Sequence, residues 1–391
     1  MQRLAILGAT GSIGESTATV VRQHPDRLSI TTLAAHGRSP AALLALAREF
    51  RPQLVAILDE GVARDLRREM PAGVKLVSGP EALLAATTHP DVDKVVAAIV
   101  GAAGLPPVVA ALSAGKSVAL ANKESLVVAG RLLTDLARAH GAEILPIDSE
   151  HAALHQALRC GARSEVRRLV LTASGGPFLR RDPATFASIR PEDALRHPTW
   201  AMGAKISVDS ATLINKGLEL IEASHLFGVG ASAIDVVVHP RSIVHSLVEF
   251  HDGSWLAQMS ANDMVFPIQY ALAYPDRWAN DFPRLDLAQL GTLEFLPLDE
   301  VRFPAVRMAR AALAAGESAP AVLNAANEVA VHAFLAETIG YSDILPVIAE
   351  VLEAHSAEAL ADVEAALGWD AWARREAEVA VAALSKRQRP R

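Results

Sequence analysis

A short apolar run followed by a glycine-rich turn constrains the fold of this chain most strongly. Residues 3–7 (RLAIL) are typical of a buried strand. They lead into residues 8–14 (GATGSIG) and then into an Ala- and Val-rich helical pattern that ends near Gln23. In dinucleotide-binding folds, a turn at this place brings backbone N–H groups close to a pyrophosphate at the helix N-terminus. The spacing G-x-x-G-x-x-G is a variant of G-x-G-x-x-G, and its position between the first strand and helix strengthens the signal.

The same alternation of apolar runs and Ala-rich helical stretches continues along the N-terminal part of the chain. Further strands are predicted at residues 28–35, 54–58, 75–77, 94–99, 117–120 and 143–147. Strands that alternate with helices in this way form a doubly wound parallel sheet. After a change of texture, strands are predicted at 167–172, 234–238, 242–250 and 254–259, with a hairpin turn at Asp252-Gly253. We therefore expect an α/β protein with an N-terminal Rossmann-like doubly wound parallel sheet (1–149), a central α+β catalytic domain (150–274), a linker (275–300) and a C-terminal α-helical bundle (301–391).

The composition excludes several classes of protein. Of the 391 residues, 51% are hydrophobic and 21% are charged, as in a folded globular protein. The net charge of −7 argues against nucleic acid and acidic membranes as partners, although a small anion needs only a few local donors. The single cysteine, Cys160, excludes an internal disulfide and fits a reducing compartment. The N-terminus lacks a signal-peptide pattern, and two prolines break the uncharged segment 95–115, so we expect a cytoplasmic protein without a membrane partner.

The end of the second predicted strand indicates which nicotinamide cofactor binds. An NAD enzyme holds the ribose 2′-hydroxyl there with an Asp or Glu, but residues 35–39 (AHGRS) contain no acid. Arg38 and Ser39 are suited to a 2′-phosphate, which favours NADP. The alternative is that Arg38 is a solvated side chain in a turn.

Polar residues also follow the last two strands of the predicted sheet. Lys123 is either a substrate contact or a surface lysine. Asp148 and Glu150 stand where open α/β sheets bind their ligands, and two carboxylates at such a point suggest a divalent cation. The alternative is that Asp148 or Ser149 only caps the helix that begins at His151.

The central region carries further candidate ligands. The turn at residues 174–176 (SGG) either binds phosphate or is only a turn. The segment 191–203 has no clean periodicity and carries His197, Trp200 and Met202. Large apolar residues on such a loop indicate that it closes over a ligand.

A helix predicted at residues 210–225, with Asp209 as its N-cap, carries the most informative polar face. Asn215, Lys216 and Glu219 lie three or four residues apart and therefore share one side of this helix. The alternatives are plain amphipathicity and a surface salt bridge of little energetic value.

Two other metal hypotheses are weaker. Glu222, one turn further along the same helix, is a competing carboxylate. His239, His245 and His251 are evenly spaced and invite a zinc hypothesis, but Pro240 and the predicted hairpin separate them.

Six motifs occur in one order: residues 8–14 (GATGSIG), 121–125 (ANKES), 146–151 (PIDSEH), 173–178 (ASGGPF), 205–212 (KISVDSAT) and 215–219 (NKGLE). In these motifs the chain closely resembles the 1-deoxy-D-xylulose 5-phosphate reductoisomerase family. The resemblance runs nearly end to end, includes residues 323–328 (LNAANE), and shows no departure at a motif position. It implies a homodimer, with a dimer-forming sheet in the central domain. It also implies an enzyme that rearranges this sugar phosphate to an aldehyde and reduces it with NADPH to 2-C-methyl-D-erythritol 4-phosphate.

The resemblance also implies roles for single residues. The divalent metal (Mg²⁺, Mn²⁺ or Co²⁺) would be bound by Asp148, Glu150 and Glu219, which form the catalytic set together with Lys123. The substrate phosphate would be bound by Ser174, His197, Ser210 and Asn215. The other substrate oxygens would be contacted by Lys123, Ser149, Glu150, Lys216 and Glu219. Trp200 and Met202 would belong to a flexible lid at about residues 194–204. NADPH would be bound by Thr10, Gly11, Ser12, Ile13, Gly37, Arg38, Ser39, Asn122, Glu124 and Gly203.

Two other functions stay open on the sequence. Another NADP-dependent dehydrogenase, such as an aspartate-semialdehyde dehydrogenase, would need a cysteine nucleophile, and Cys160 would have to supply it. A non-enzymatic NADP-binding regulator would not need the three carboxylates.

Overall fold

The structure is a computed structural model that describes residues 1–200 and 202–388. Ala201, within the predicted lid, and residues 389–391 of the predicted C-terminal region lie outside the described residues. The strands are β1 (Gln2–Leu7), β2 (Leu28–Ala35), β3 (Leu54–Ile57), β4 (Lys75–Ser78), β5 (Lys94–Ala97), β6 (Ser117–Leu120), β7 (Ile144–Pro146), β8 (Val166–Ala173), β9 (Ile234–Val238), β10 (Val244–Phe250), β11 (Trp255–Met259) and β12 (Leu296–Pro297). The α-helices are α1 (Ser12–Gln23), α2 (Pro40–Phe50), α3 (Glu60–Leu66), α4 (Pro80–Thr87), α5 (Leu105–Ser113), α6 (Lys123–Ala139), α7 (Ser149–Ala157), α8 (Pro191–Ala194), α9 (Ala204–Thr212), α10 (Ile214–Phe227), α11 (Val265–Ala273), α12 (Leu287–Leu290), α13 (Ala305–Ala315), α14 (Ser318–Leu335), α15 (Ile344–Glu353) and α16 (Val363–Gln388).

The chain divides into two compact units. Unit 1 contains Met1–Asn122, Leu133–Ala152 and Asp263–Pro283. Unit 2 contains Lys123–Leu132, Ala153–Asn262 and the chain from Arg284 onward. Each unit is therefore assembled from three separate stretches of sequence.

Unit 1 is built on a seven-stranded sheet in the order β4-β3-β2-β1-β5-β6-β7, and every strand pair in it is parallel. The predicted Rossmann-like doubly wound sheet is thereby confirmed. The strand order reverses at β1, which has β2 on one side and β5 on the other, and such a switch point is where open α/β sheets bind ligands. Gly8, directly after β1, has φ +86°, and a Cβ on it would lie 2.5 Å from the carbonyl oxygen of Ala98. Only glycine therefore lets the turn pass this close to the end of β5.

Helix α11 completes the core of unit 1, although the sequence pattern did not predict it. Ile268 and Leu272 of α11 lie in one hydrophobic core with Leu4 and Leu33 of the sheet. Eight of its nine residues are buried, so the helix has no polar face to give an amphipathic period. This explains why periodicity missed it.

Unit 2 contains a five-stranded mixed sheet in the order β11-β10-β8-β9-β12. β8 and β9 are parallel, while β10 pairs antiparallel with both β8 and β11. The β10–β11 pair confirms the predicted hairpin at Asp252-Gly253. The later part of the predicted linker, residues 284–300, also contributes structure to this unit, because β12 pairs antiparallel with β9.

The helices of unit 2 pack into a separate core. Leu218 of α10 lies in one hydrophobic cluster with Ala309 of α13, Val322 of α14 and Ala377 of α16. The predicted helical C-terminal region is confirmed, and α14 is buried along most of its length. No helix among residues 1–200 and 202–388 combines the length and the apolar character that crossing a membrane requires.

The prediction that a helix begins at Ser210, with Asp209 as its N-cap, is wrong. Asp209 lies inside α9, and α10 begins only after Leu213, whose left-handed backbone (φ +60°) separates the two helices. The side chain of Asp209 pairs with Lys205, one turn earlier in α9, instead of capping a helix. The preference of Asp for N-caps was therefore overridden by a buried ion pair.

Candidate active site

Unit 1 presents the predicted cofactor residues after the carboxyl ends of three strands. Thr10, Gly11, Ser12 and Ile13 lie in the turn after β1 and in the first turn of α1. Gly37, Arg38 and Ser39 follow β2, and both Arg38 and Ser39 are exposed. Asn122 follows β6; it is buried, and its Nδ2 donates a hydrogen bond of 3.0 Å to the carbonyl oxygen of Gly101. The sheet order places these strand ends along one edge.

The carboxylates after β7 are also in unit 1. Asp148 immediately precedes α7, and Ser149 and Glu150 are its first two residues. Ser149 Oγ donates to Glu150 Oε2 at 2.6 Å. The Glu150 N–H donates to Asp148 Oδ1 at 3.4 Å, which is long for a hydrogen bond.

Four polar side chains form a cluster in unit 2, and all but the half-buried Asn215 are buried. Lys123 Nζ donates to Glu219 Oε1 at 3.0 Å and to Asn215 Oδ1 at 2.8 Å. Lys216 Nζ is bonded to the other carboxylate oxygen, Glu219 Oε2. The side chains of Lys216 and Glu219 are only 4% and 2% exposed, so the alternative of a surface salt bridge is wrong. Lys123 is buried as well, which excludes the alternative of a surface lysine.

His197 and Ser174 form a defined hydrogen-bonded pair. His197 Nδ1 accepts hydrogen bonds from the backbone N–H groups of Thr199 at 3.2 Å and Trp200 at 3.0 Å. Nε2 therefore carries the proton of the neutral ring and donates to Ser174 Oγ at 2.9 Å. Burial lowers the pKa of His197 to about 4, which keeps the ring neutral near pH 7. Ser174 Oγ also accepts from the Gly176 N–H at 3.1 Å, so its hydroxyl hydrogen is the group that it offers to a ligand oxygen.

The turn after β8 lies directly against the end of α9. Gly176 has φ +67°, and a Cβ on it would lie 2.5 Å from the carbonyl oxygen of Ser210. The structure thus places the turn that contains Ser174 against the helical turn that contains Ser210, and the family resemblance linked both residues to phosphate. Asn215 stands just beyond the break between α9 and α10.

A buried ionic network beside these residues was missed by sequence reasoning. Lys205 Nζ lies 2.9 Å from Glu124 Oε1 and 2.8 Å from Asp209 Oδ2, while Asn327 Nδ2 donates to Asp209 Oδ1 at 2.9 Å. Burial opposes the charge of Lys205, but Asp209 and Glu124 outweigh it and raise the pKa of this lysine. Burial likewise opposes the charge of Glu124, but Lys205 outweighs it and lowers the pKa of that carboxyl. The i, i+4 spacing of Lys205 and Asp209 was a usable signal, but the helix predicted to begin at Ser210 separated them.

The loop with the predicted lid residues is organised by His197. Trp200 is half-buried, with its ring centroid 6.4 Å from that of His245. Met202 and Gly203 directly precede α9.

The structure also disfavours the zinc hypothesis, because His239 and His245 have separate partners: the Glu294 carbonyl oxygen at 2.7 Å and Ser260 Oγ at 2.9 Å.

Comparison with known proteins decides the family. A family model described as 1-deoxy-D-xylulose 5-phosphate reductoisomerase matches residues 4–130, and models of its C-terminal domains match residues 144–227 and 259–376. A reductoisomerase of this name from Anaeromyxobacter dehalogenans is 52% identical over 383 residues, which cover 98% of each chain. The chain belongs to the 1-deoxy-D-xylulose 5-phosphate reductoisomerase family. The resemblance seen in the sequence motifs is thereby confirmed.

Other members of the family are similar to this chain in sequence and in structure. The enzyme of Geobacter metallireducens is 50% identical over 375 residues, which cover 96% of this chain and 97% of that protein. A crystal structure of DOX-P reductoisomerase in complex with NADPH, fosmidomycin and magnesium is 43% identical; it covers 99% of this chain and 100% of its own, with a TM-score of 0.91. The Zymomonas mobilis enzyme in complex with NADPH is 41% identical, with a TM-score of 0.91 over 97% of this chain and 99% of its own.

Proposed function

We propose that this chain converts 1-deoxy-D-xylulose 5-phosphate into 2-C-methyl-D-erythritol 4-phosphate, using NADPH and a divalent metal, in non-mevalonate isoprenoid biosynthesis. The reaction is a rearrangement of the carbon skeleton followed by hydride reduction. Family membership supports it. The observation that carries the proposal is the cluster of the buried Lys123, Lys216 and Glu219 with the half-buried Asn215. Burying two ammonium groups and a carboxylate costs free energy that an apolar core would not require, so the cluster points to function.

We assign the substrate phosphate to Ser174, His197, Ser210 and Asn215. The contact of Gly176 with Ser210 and the neutral His197 support the assignment. A neutral imidazole that donates to Ser174 Oγ holds this hydroxyl with its hydrogen available to an anion, without needing a protonated histidine. Phosphate recognition would then persist through the neutral pH range.

We assign the divalent cation, Mg²⁺, Mn²⁺ or Co²⁺, to Asp148, Glu150 and Glu219. The donor set fits, because hard divalent cations prefer carboxylate oxygens. Glu219 is buried and its two oxygens are bonded to Lys123 and Lys216, so a cation bound there would take the place of one of these ammonium groups. A bound cation supplies Lewis-acid chemistry, since it polarises a carbonyl and lowers the pKa of a hydroxyl.

We assign NADPH to the residues that the family resemblance linked to it, most of which follow strands β1, β2 and β6. The exposed Arg38 and Ser39 after β2, in a segment (residues 35–39) whose sequence contains no acid, support a preference for the 2′-phosphate. When bound, NADPH supplies the hydride for the second stage. The full set is Thr10, Gly11, Ser12, Ile13, Gly37, Arg38, Ser39, Asn122, Glu124 and Gly203. The carboxylate of Glu124 pairs with Lys205.

The lysines and the lid residues have separate tasks in this mechanism. Lys123 and Lys216 donate hydrogen bonds to substrate oxygens on which negative charge develops, and such donors act more strongly away from water. Ser149 contacts a substrate hydroxyl. Trp200 and Met202, on the lid at about residues 194–204, exclude water while reactive intermediates exist.

We further propose that the protein is cytoplasmic and has the four segments 1–149, 150–274, 275–300 and 301–391. We also propose that it forms a homodimer through the five-stranded sheet of unit 2. β11 is an edge strand of this sheet, and Trp255 on it is 45% exposed. An exposed aromatic residue on a sheet edge is typical of a surface that pairs with another chain. Sedimentation velocity would measure the mass, and a monomer at micromolar concentration would contradict this assembly.

A spectrophotometric assay tests the function directly. The purified protein should oxidise NADPH only when both the sugar phosphate and a divalent metal are present, and a chelator should stop the reaction. Cys160→Ala serves as the control for a cysteine-dependent dehydrogenase and should keep full activity, since Cys160 is exposed at the end of a short turn after α7. Absence of metal-dependent NADPH oxidation would refute the proposal and favour a non-enzymatic NADP-binding protein.

A further inference from the structure

Two side chains from the C-terminal part of unit 2 hold the residues that we assigned to the substrate phosphate. We define the phosphate cradle as residues 174–177, in the turn after β8, together with Ser210 in the last turn of α9. The two parts touch at Gly176 and the Ser210 carbonyl oxygen. The geometry of the cradle therefore depends on what fixes the turn relative to the helix.

Tyr341 contacts both parts of the cradle through their direct neighbours. Its hydroxyl donates a hydrogen bond of 2.7 Å to the carbonyl oxygen of Ala211, the residue after Ser210. Its ring packs edge-on against Phe178, the residue after the turn, with 5.2 Å between the centroids. The side chain is buried, and burial raises the pKa of the phenol, so the group stays a neutral O–H donor. The side chain of Tyr341 thus links helix α9 to Phe178, the residue that follows the turn.

Arg302 also holds the segment that follows the turn, residues 178–181. Its guanidinium donates to the carbonyl oxygens of Leu179 at 3.0 Å and Phe178 at 3.4 Å, and also to that of Arg181. A planar guanidinium holds several carbonyl oxygens in a fixed geometry, which a lysine ammonium does not. Arg302 shortly precedes α13 and Tyr341 shortly precedes α15, so two independent elements hold one segment.

We propose that Tyr341 and Arg302 are positioning residues for phosphate recognition. Their polar groups bond to backbone carbonyl oxygens next to the cradle, and they act on the substrate only through Ser174 and Ser210. The inference rests on the proposed function, because it presupposes that the cradle binds the phosphate of the sugar. A purely structural role would change stability and leave phosphate affinity unaltered, which makes the two roles separable.

Tyr341→Phe is the most direct test, because it removes one hydroxyl and keeps the ring. We expect the KM for 1-deoxy-D-xylulose 5-phosphate and the inhibition constant of inorganic phosphate each to rise about fivefold, which corresponds to the loss of one hydrogen bond. kcat and the KM for NADPH should stay at the wild-type values. Tyr270→Phe, at a buried tyrosine of α11 in unit 1, is the matched control and should leave both phosphate-dependent constants unchanged.

Arg302→Lys keeps the positive charge and removes the planar fork, and it provides a second test if Tyr341→Phe does not fold. It should raise the same two constants. Unchanged constants in a folded variant, or a fall in kcat alone, would overturn the inference. If wild-type protein shows no metal-dependent turnover of the sugar phosphate, the proposed function has failed instead, so the two failures can be told apart.

Discussion

Replacing Gly176 by alanine tests whether the contact between the turn and α9 sets phosphate affinity. The new Cβ would lie 2.5 Å from the Ser210 carbonyl oxygen and 3.2 Å from the Cα of Ala211, at φ +67°. The left-handed conformation costs an L-residue about 1 kcal/mol. The overlap adds to this, because Cβ atoms stay at least 3.0 Å from such neighbours. The turn therefore has to move by roughly 0.5 Å, which is the tolerance within which a binding site must be held.

We expect Gly176→Ala to weaken the binding of inorganic phosphate by about tenfold or more, equivalent to about 1.4 kcal/mol. Titration calorimetry would measure the affinity, and the KM for the sugar phosphate should rise in parallel. Gly253→Ala is the matched control, because Gly253 has φ +86° in the β10–β11 turn with nothing within 4 Å of a Cβ. It carries the left-handed penalty alone. Equal phosphate affinities in the two variants would refute the reasoning.

Three further predictions concern the metal, the cofactor and pH. Glu219→Gln should abolish metal-dependent turnover while NADPH still binds, as measured by fluorescence; normal turnover at low metal concentration would remove Glu219 as a ligand. Arg38→Asp should weaken NADPH much more than NADH in steady-state assays, and an unchanged preference would speak against contact with the 2′-phosphate. Because burial lowers the pKa of His197 to about 4 from its ordinary 6.5, the unfolded chain takes up a proton in this window that the folded chain does not. Acidification from pH 6.5 to 4 should therefore destabilise the fold, and less so in His197→Asn. An NMR titration of His197 with a midpoint near 6.5 would contradict this.

The fold of unit 1 could be predicted because its signals are local. Buried parallel strands are continuous apolar runs, and the glycine-rich turn after β1 marks the strand that lies at the switch point. The predicted strand 117–120 agrees with β6, and 94–99 exceeds β5 only at its end. Strand order and the packing of α11 depend on contacts distant in sequence, which periodicity does not contain.

The candidate site could likewise be predicted only where its signals are local. The shared face of Asn215, Lys216 and Glu219 follows from helical spacing alone. The bond from Lys123 to Glu219 joins residues 96 apart, and that from Tyr341 to Ala211 joins residues 130 apart. Such pairs are fixed by tertiary packing. The sequence therefore indicated Lys123 by its place after a strand and Glu219 by its helical spacing, but it did not indicate the bond between them, and it did not indicate Tyr341 at all.

The discontinuous make-up of unit 1 has a consequence for how the protein forms during synthesis. The sheet from β1 to β7 has left the ribosome long before residues 263–283, which supply α11. Until then, the apolar surface that Ile268 and Leu272 cover in the finished core stays open to water. The nascent N-terminal half therefore exposes apolar surface that favours aggregation. The core of unit 1 is complete only after a helix some 120 residues further along the chain has been synthesised.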